Sequence, residues 1–253
     1  MKKTLLLIIS LIISSSGVAE IINNNPDTPK TQNTKEPVAE VQPRKETVQE
    51  HMCYPDMSTN KRTLEQNIEK YTQIINTNPK DTNTLINALL ERAKTHHMLE
   101  NYKNSEKDYT RIIKLNPNHP FAHFGRSDAN FYQEKYQQAI FDATQAIKFT
   151  PNNMCSYLTR AAARAWQDDF MGAIFDYTKA IEINPNESIV YYYRAMCKYW
   201  LNDYEGTLTD VKMYLKLEPN PPVNIEEYEK YLQNFINENP NINKERLTKA
   251  ERK

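Results

Sequence analysis

Residues 154–187 read MCSYLTRAAARAWQDDFMGAIFDYTKAIEINPNE, and residues 188–221 read SIVYYYRAMCKYWLNDYEGTLTDVKMYLKLEPNP. Laid over each other, the two segments place Arg160 on Arg194, Asp176 on Asp210 and Pro185 on Pro219. The alignment extends toward the N-terminus through Arg126, Asp142 and Pro151, then through Arg92, Asp108 and Pro117. Each row advances by 34 residues, and the aspartate always follows its arginine by 16. A fixed period of this length marks a repeat array, in which each unit buries its apolar face against its neighbours.

Within each unit the apolar residues recur at helical spacing and divide into two helices. Small residues occupy the eighth position (Ala93, Ser127, Ala161, Ala195) and the twentieth (Ser105, Ala139, Ala173, Thr207), where they let helix axes approach closely. An aromatic opens the second helix, as Tyr102, Tyr136, Phe170 and Tyr204, and Ile113, Ile147, Ile181 and Leu215 recur near its end. Composition agrees with helices. Four glycines in 253 residues are too few for an all-β chain or a glycine-rich nucleotide site, which need positive-φ turns or close backbone approach. The expected fold class is all-α.

Small residues at positions 8 and 20, an aromatic at 17, proline at 32 and a period of 34 together resemble the tetratricopeptide repeat. The resemblance covers residues 58–219 and implies antiparallel helix pairs stacked in a right-handed superhelix, an α-α solenoid, with first helices lining a concave face. One departure is the turn inside each unit, where the family often has glycine and this chain has Glu100, Glu134, Asp168 and Asn202. Glutamate tolerates left-handed geometry poorly, so the first two turns are expected to be irregular.

The repeat domain is read as 58–238: an N-terminal half repeat at 58–79, with a helix capped by Ser58 or Thr59, four full repeats at 86–119, 120–153, 154–187 and 188–221, and a capping helix at 224–238. Ahead of it, residues 1–19 have the form of a bacterial secretory leader, with Lys2 and Lys3, an apolar run from Leu5 to Ile13, and a small-residue end at Ala19 where cleavage is expected. The apolar run is short for a membrane span of roughly 20 residues, so no stable span is expected after cleavage, and the expected address is the periplasm or the outside medium. Residues 20–57 are polar and proline-rich, which predicts a disordered linker. Residues 239–253 form a charged tail.

Little in the sequence points to catalysis. Nucleophilic triads, phosphate-binding loops and metalloprotease signatures are missing from the sequence, so the chain reads as a non-enzyme with no cofactor. His96, His97, His119 and His123 lack a third ligand at metal spacing, and no metal is expected. The balance of 32 basic and 32 acidic residues gives no global field toward nucleic acid. Antiparallel helices bring the seventh and twenty-third positions to one height, so the arginine and aspartate rows are read as structural ion pairs within each repeat: Arg92 with Asp108, Arg126 with Asp142, Arg160 with Asp176, and Arg194 with Asp210. The three cysteines divide between the linker (Cys53), a packing position (Cys197) and a groove-side position (Cys155), and no disulfide is expected within the array.

The informative surface is the exposed arc of the first helices, positions 2, 5, 9, 12 and 13, which span about 100° of a helical wheel. In the four repeats it reads Asn87, Leu90, Lys94, His97, Met98; Phe121, Phe124, Asp128, Phe131, Tyr132; Cys155, Leu158, Ala162, Ala165, Trp166; and Ile189, Tyr192, Met196, Tyr199, Trp200. Some of these pack against neighbouring helices. The aromatic excess, with Trp166 and Trp200 as anchors, is expected to bind a peptide or helix of a protein partner, with Lys94 and Asp128 setting polarity. The lysine and asparagine pattern of the family's chaperone-tail binders is missing at positions 5 and 9. The reading is a scaffold or adaptor of the envelope or secreted space, and the alternative is a structural protein that self-associates as a homo-oligomer.

Overall fold

Every regular element in the computed structural model, which describes residues 60–218, 221 and 225–240, is a helix. The described residues form α1 (Lys61–Asn76), α2 (Thr82–Met98), α3 (Tyr102–Leu115), α4 (Pro120–Tyr132), α5 (Tyr136–Phe149), α6 (Met154–Ala165), α7 (Phe170–Ile183), α8 (Ser188–Trp200), α9 (Tyr204–Leu217) and α10 (Ile225–Glu238). The leader, the linker and residues 241–253 of the tail lie outside the described residues. None of the described helices is long and apolar enough to cross a membrane.

Local chemistry sets the helix starts. Asp81 Oδ2 accepts from the Thr84 N–H at 2.8 Å, Asn153 Oδ1 from the Ser156 N–H at 3.1 Å, and His119 Nδ1 from the Ala122 N–H at 3.2 Å, each satisfying a donor that the first turn leaves open. Pro120 opens α4 where no N–H is needed. The first helix begins later than the sequence suggested. Its cap is Asn60, whose Oδ1 accepts from the Thr63 N–H at 3.0 Å, and Ser58 and Thr59 lie outside the described residues.

The turns inside the repeats correct another expectation. Glu100, Glu134, Asp168 and Asn202 all adopt the left-handed region, at φ of 57°, 60°, 63° and 59°, so the glutamate turns are as regular as the others. The reason lies in the backbone. Glu134 N–H donates to Phe131 O at 2.9 Å and Lys135 N–H to Asn130 O at 2.9 Å, closing the helix end as a Schellman motif, and Glu100 and Asn101 repeat the pattern at 2.8 Å each. These bonds impose the conformation whatever the side chain.

The helices belong to two compact bodies, Thr47–Ile183 with α1 to α7 and Asn184–Lys253 with α8 to α10. In the first body α2 pairs with α3, α4 with α5 and α6 with α7; α1 packs on α2, and the first helices α2, α4 and α6 touch in sequence. The small residues make these pairings possible: Ala93, Ser127, Ala161, Ser105, Ala139 and Ala173 are all 0% exposed. Ser127 also donates across the crossing to Ala139 O at 2.8 Å. Gly125 lets the buried Tyr109 ring lie against α4, since a Cβ there would stand 2.2 Å from the ring.

In the second body α8 packs on α9, and α10 packs on α9 with one face. Ile225, Tyr228, Leu232 and Phe235 are buried, whereas Glu226, Glu227 and Lys230 are exposed. Phe235 meets Tyr204 edge-on at 4.9 Å. One apolar face and one polar face suit a helix that ends a repeat array.

Candidate functional site

The arginine and aspartate rows form bidentate pairs inside each repeat. Each arginine donates from Nη2 to one carboxylate oxygen at 2.6–2.7 Å and from Nε to the other at 2.8–2.9 Å, in Arg92–Asp108, Arg126–Asp142, Arg160–Asp176 and Arg194–Asp210. In the first body the remaining Nη1 reaches back one unit: Arg92 to Thr72 Oγ1 at 3.0 Å, Arg126 to Thr110 at 3.4 Å, and Arg160 to Thr144 at 3.1 Å. The strut therefore also ties neighbouring units. Thr72, Thr110 and Thr144 are neutral acceptors in these contacts.

A further row supports the aspartates. At the eleventh position Asn130 Nδ2 donates to Asp142 at 3.3 Å, Arg164 to Asp176 at 2.8 Å, and Lys198 Nζ lies 2.7 Å from Asp210. In the first repeat the same position is His96, whose pKa burial lowers against the pull of Asp108. This row escaped the sequence reading because its residues differ in type and share only the ability to donate. His119 and His123 have structural employment: His119 caps α4, and His123 Nε2 lies 2.8 Å from Pro117 O.

The first-helix arc is far less open than its sequence suggests. Of the residues expected to line the groove, Phe124, Asp128, Leu158, Trp166, Tyr192 and Tyr199 are buried. Leu90, Lys94, Phe131, Tyr132, Met196 and Trp200 are half-buried, and Phe121, at 57%, is exposed. The reason is inter-repeat packing. Tyr132 stacks on Tyr102 of the preceding repeat at 4.6 Å, and Trp166 on Tyr136 at 5.7 Å, so position 13 of one unit lies flat on position 17 of the one before. Trp166 is thus a packing residue and not a free anchor. Tyr199 sits among Tyr204 and Tyr228, and Tyr192 against Tyr214. Burial raises the Tyr214 phenol to about 12.

Asp128 does not set polarity at a surface. It is 2% exposed, 3.2 Å from His97 Nε2 of the preceding repeat and 3.4 Å from Thr159 Oγ1 of the next, joining three units. His97 stands edge-on to Tyr102 at 5.1 Å and Tyr132 at 5.5 Å, and burial pushes its pKa down to about 4.

Cys197 is the free, buried thiol, raised by burial to about 12, whereas Cys155 is held in a disulfide. Cys155 stands at the second position of its repeat, half-buried, and packs on the cluster of Phe124 and Ala146. On the second-helix side of the first body, a cleft of about 400 Å³ is lined by Glu106, Thr110, Arg126, Gln137, Phe141 and Asp142. Its charged groups are the Arg126–Asp142 strut and Glu106, which Lys135 Nζ meets at 2.7 Å.

Comparison with known proteins agrees with this architecture. Residues 86–119 match the tetratricopeptide repeat family. No curated protein matches the chain. Among solved structures the chain is similar to a MamA RS-1 double mutant (14% identity, TM-score 0.58, covering 68% of this chain and 96% of that one). A MamA crystal structure gives 19% identity and a TM-score of 0.57, over 68% and 94% of the two chains. MamA from Desulfovibrio magneticus RS-1, residue 41 to its end, gives 14% and 0.54, over 68% and 95%. At these identities the likeness speaks for the fold alone. The fold is all-α, an α-α solenoid of the tetratricopeptide-repeat type.

Proposed function

We propose that the protein is a non-catalytic scaffold of the bacterial envelope or secreted space, and that it docks an extended or helical segment of a partner on the first-helix face. The observation that carries the reading is the arc of the first body. Phe121 is exposed and Leu90, Phe131 and Tyr132 are half-buried on stacked helices α2 and α4 that hold them rigidly. Apolar side chains on a preformed helical surface offer area without an ordering cost, which is how helix-in-groove and extended-peptide recognition work. Lys94, paired with Glu91 at 2.8 Å, supplies charge at the edge of this arc. The buried aspartates are already committed to arginines, which suits a frame more than a reaction centre.

Substituting Phe121→Ser together with Leu90→Ser tests the site. Both side chains are at least partly open, so the variant is expected to fold with unchanged helical circular dichroism and to lose its crosslinked partner in the native host. Retention of that partner would overturn the reading. The address is tested separately by mass spectrometry, which should find a mature chain beginning after Ala19.

One observation favours self-association as a second reading. Phe141, Met171 and Phe175 of the second helices are 60%, 64% and 56% exposed. A concentration-independent dimer in light scattering that Phe141→Ser with Phe175→Ser abolishes would support it.

A further inference from the structure

Helical spacing puts four cations on one side of α3: Lys103, Lys107, Arg111 and Lys114 fall within an arc of about 80°, and all four are exposed. One and two repeats on, equivalent positions are apolar, with Phe141 of α5 and Met171 and Phe175 of α7 at 60%, 64% and 56% exposed. Lys148, at the end of α5, is exposed at the position equivalent to Lys114. Contacts across the repeats hold these helices side by side. Glu106 and Thr110 of α3 share a cleft with Gln137 and Phe141 of α5, and Arg160 reaches both Asp176 of α7 and Thr144 of α5. The acids of the three helices are already engaged. Asp108, Asp142 and Asp176 are buried on their arginines, Glu106 meets Lys135 at 2.7 Å and Glu182 meets Lys179 at 2.7 Å. The second-helix face therefore carries Lys103, Lys107, Arg111, Lys114 and Lys148 in excess, although the charges of the whole chain balance.

We propose that the second-helix face of the first body docks on an anionic lipid surface, its cations meeting the headgroups and Phe141, Met171 and Phe175 entering the interfacial layer. A peptide ligand needs a hole for its anchors. Here the apolar side chains stand out from the surface, and the cleft beside Phe141 is lined largely by charged and amide groups. A bilayer interface accepts protruding apolar side chains without a matching shape. A second copy meeting this face with its own would set the cations against like charges. Nucleic acid would use the cations and leave Met171 and Phe175 without a role. Anionic lipid answers both halves of the pattern, and each basic residue near its surface adds an attraction that salt screens. Docking of this kind leaves Phe121 and Leu90 of the first helices available, so the scaffold would present its partner at a membrane.

Sedimentation of the full chain with vesicles tests this, comparing equimolar phosphatidylglycerol and phosphatidylcholine with phosphatidylcholine alone. The chain should partition onto the anionic vesicles, and raised salt should release it. Lys107→Gln with Arg111→Gln should weaken the partition by roughly fivefold for each cation removed. Phe141→Ser with Phe175→Ser should weaken it by roughly tenfold or more. Phe121→Ser, on the first helices, should leave it unchanged. All of these side chains are exposed, so helical circular dichroism should not move, and any contribution of the leader is common to every variant. Equal partition onto both kinds of vesicle, or a partition indifferent to both double variants, would overturn the proposal. So would a dimer in light scattering that Phe141→Ser with Phe175→Ser breaks, or capture of a single-stranded oligonucleotide, in a chain that ignores the anionic vesicles. None of these readouts involves the first-helix partner, so failure here leaves the scaffold reading standing, and loss of that partner in Phe121→Ser with Leu90→Ser leaves the lipid contact unchanged.

Discussion

Arg160 closes on Asp176 with two hydrogen bonds, Nη2 to Oδ1 at 2.7 Å and Nε to Oδ2 at 2.9 Å, and Arg164 adds a third to Oδ2 at 2.8 Å. The aspartate is 0% exposed. Removing one partner leaves charge without its complement in a buried site, which costs about 3–5 kcal/mol. Asp176→Ala should therefore lower the urea midpoint severely. In a double-mutant cycle it should couple to Arg160→Ala within the repeat by more than about 1 kcal/mol. Additive losses would mean that the pair is not the strut described above.

The left-handed turns invite the opposite change. Glu134 sits at φ 60° and is exposed, so its side chain is held to the turn only by the backbone bonds around it. A non-glycine residue in this region costs roughly 1–2 kcal/mol, partly offset by the greater freedom that glycine has when unfolded. Glu134→Gly is expected to stabilise the protein by about 0.5–1 kcal/mol in chemical denaturation, whereas Glu134→Ala should give no such gain.

Gly125 behaves in the reverse sense. Alanine is the better helix former by about 1 kcal/mol, yet its Cβ would stand 2.2 Å from Cζ of the Tyr109 ring, itself 1% exposed. Overpacking of this kind costs typically about 1–3 kcal/mol, so the clash outweighs the propensity. Gly125→Ala should lower the melting temperature, and Tyr109→Leu in the same chain should recover part of the loss.

Acid sensitivity follows from His97. Burial holds its pKa at about 4 against an ordinary value of 6.5. The unfolded chain takes up this proton first as pH falls. The stability contributed by neutral His97 is thus complete above about pH 6.5 and is lost progressively as pH drops through 6.5 toward 4. A gap of that size corresponds to about 3 kcal/mol. His97→Gln should lose about 2–3 kcal/mol less than the parent between pH 7 and pH 4 in urea titrations; equal losses would show that Asp128, 3.2 Å away, keeps the ring protonated in the fold.

The repeat period was legible because each of its rows has a single physical demand that few residues meet: no side-chain bulk at Ala93 and Ala139, a planar fork at Arg126, a buried carboxylate at Asp142. The eleventh-position row was not, because histidine, asparagine, arginine and lysine can all donate to the same aspartate. The site was misread for a different reason. A helical wheel shows that Trp166 points away from its own second helix, but the presence of Tyr136 from the preceding unit beneath it depends on the rise and rotation between units. Asp128 was hidden in the same way, since its contacts with His97 and Thr159 span three repeats.

The most direct test of the central claim is site-specific photocrosslinking of the full chain in its native host, with the probe at Phe121 of the first-helix arc or at Phe141 of the second helices. Phe121 is predicted to trap a discrete partner protein, with the adduct lost in Leu90→Ser. A partner trapped at Phe141 and not at Phe121, or one indifferent to Leu90→Ser, would contradict a binding site on the first-helix face.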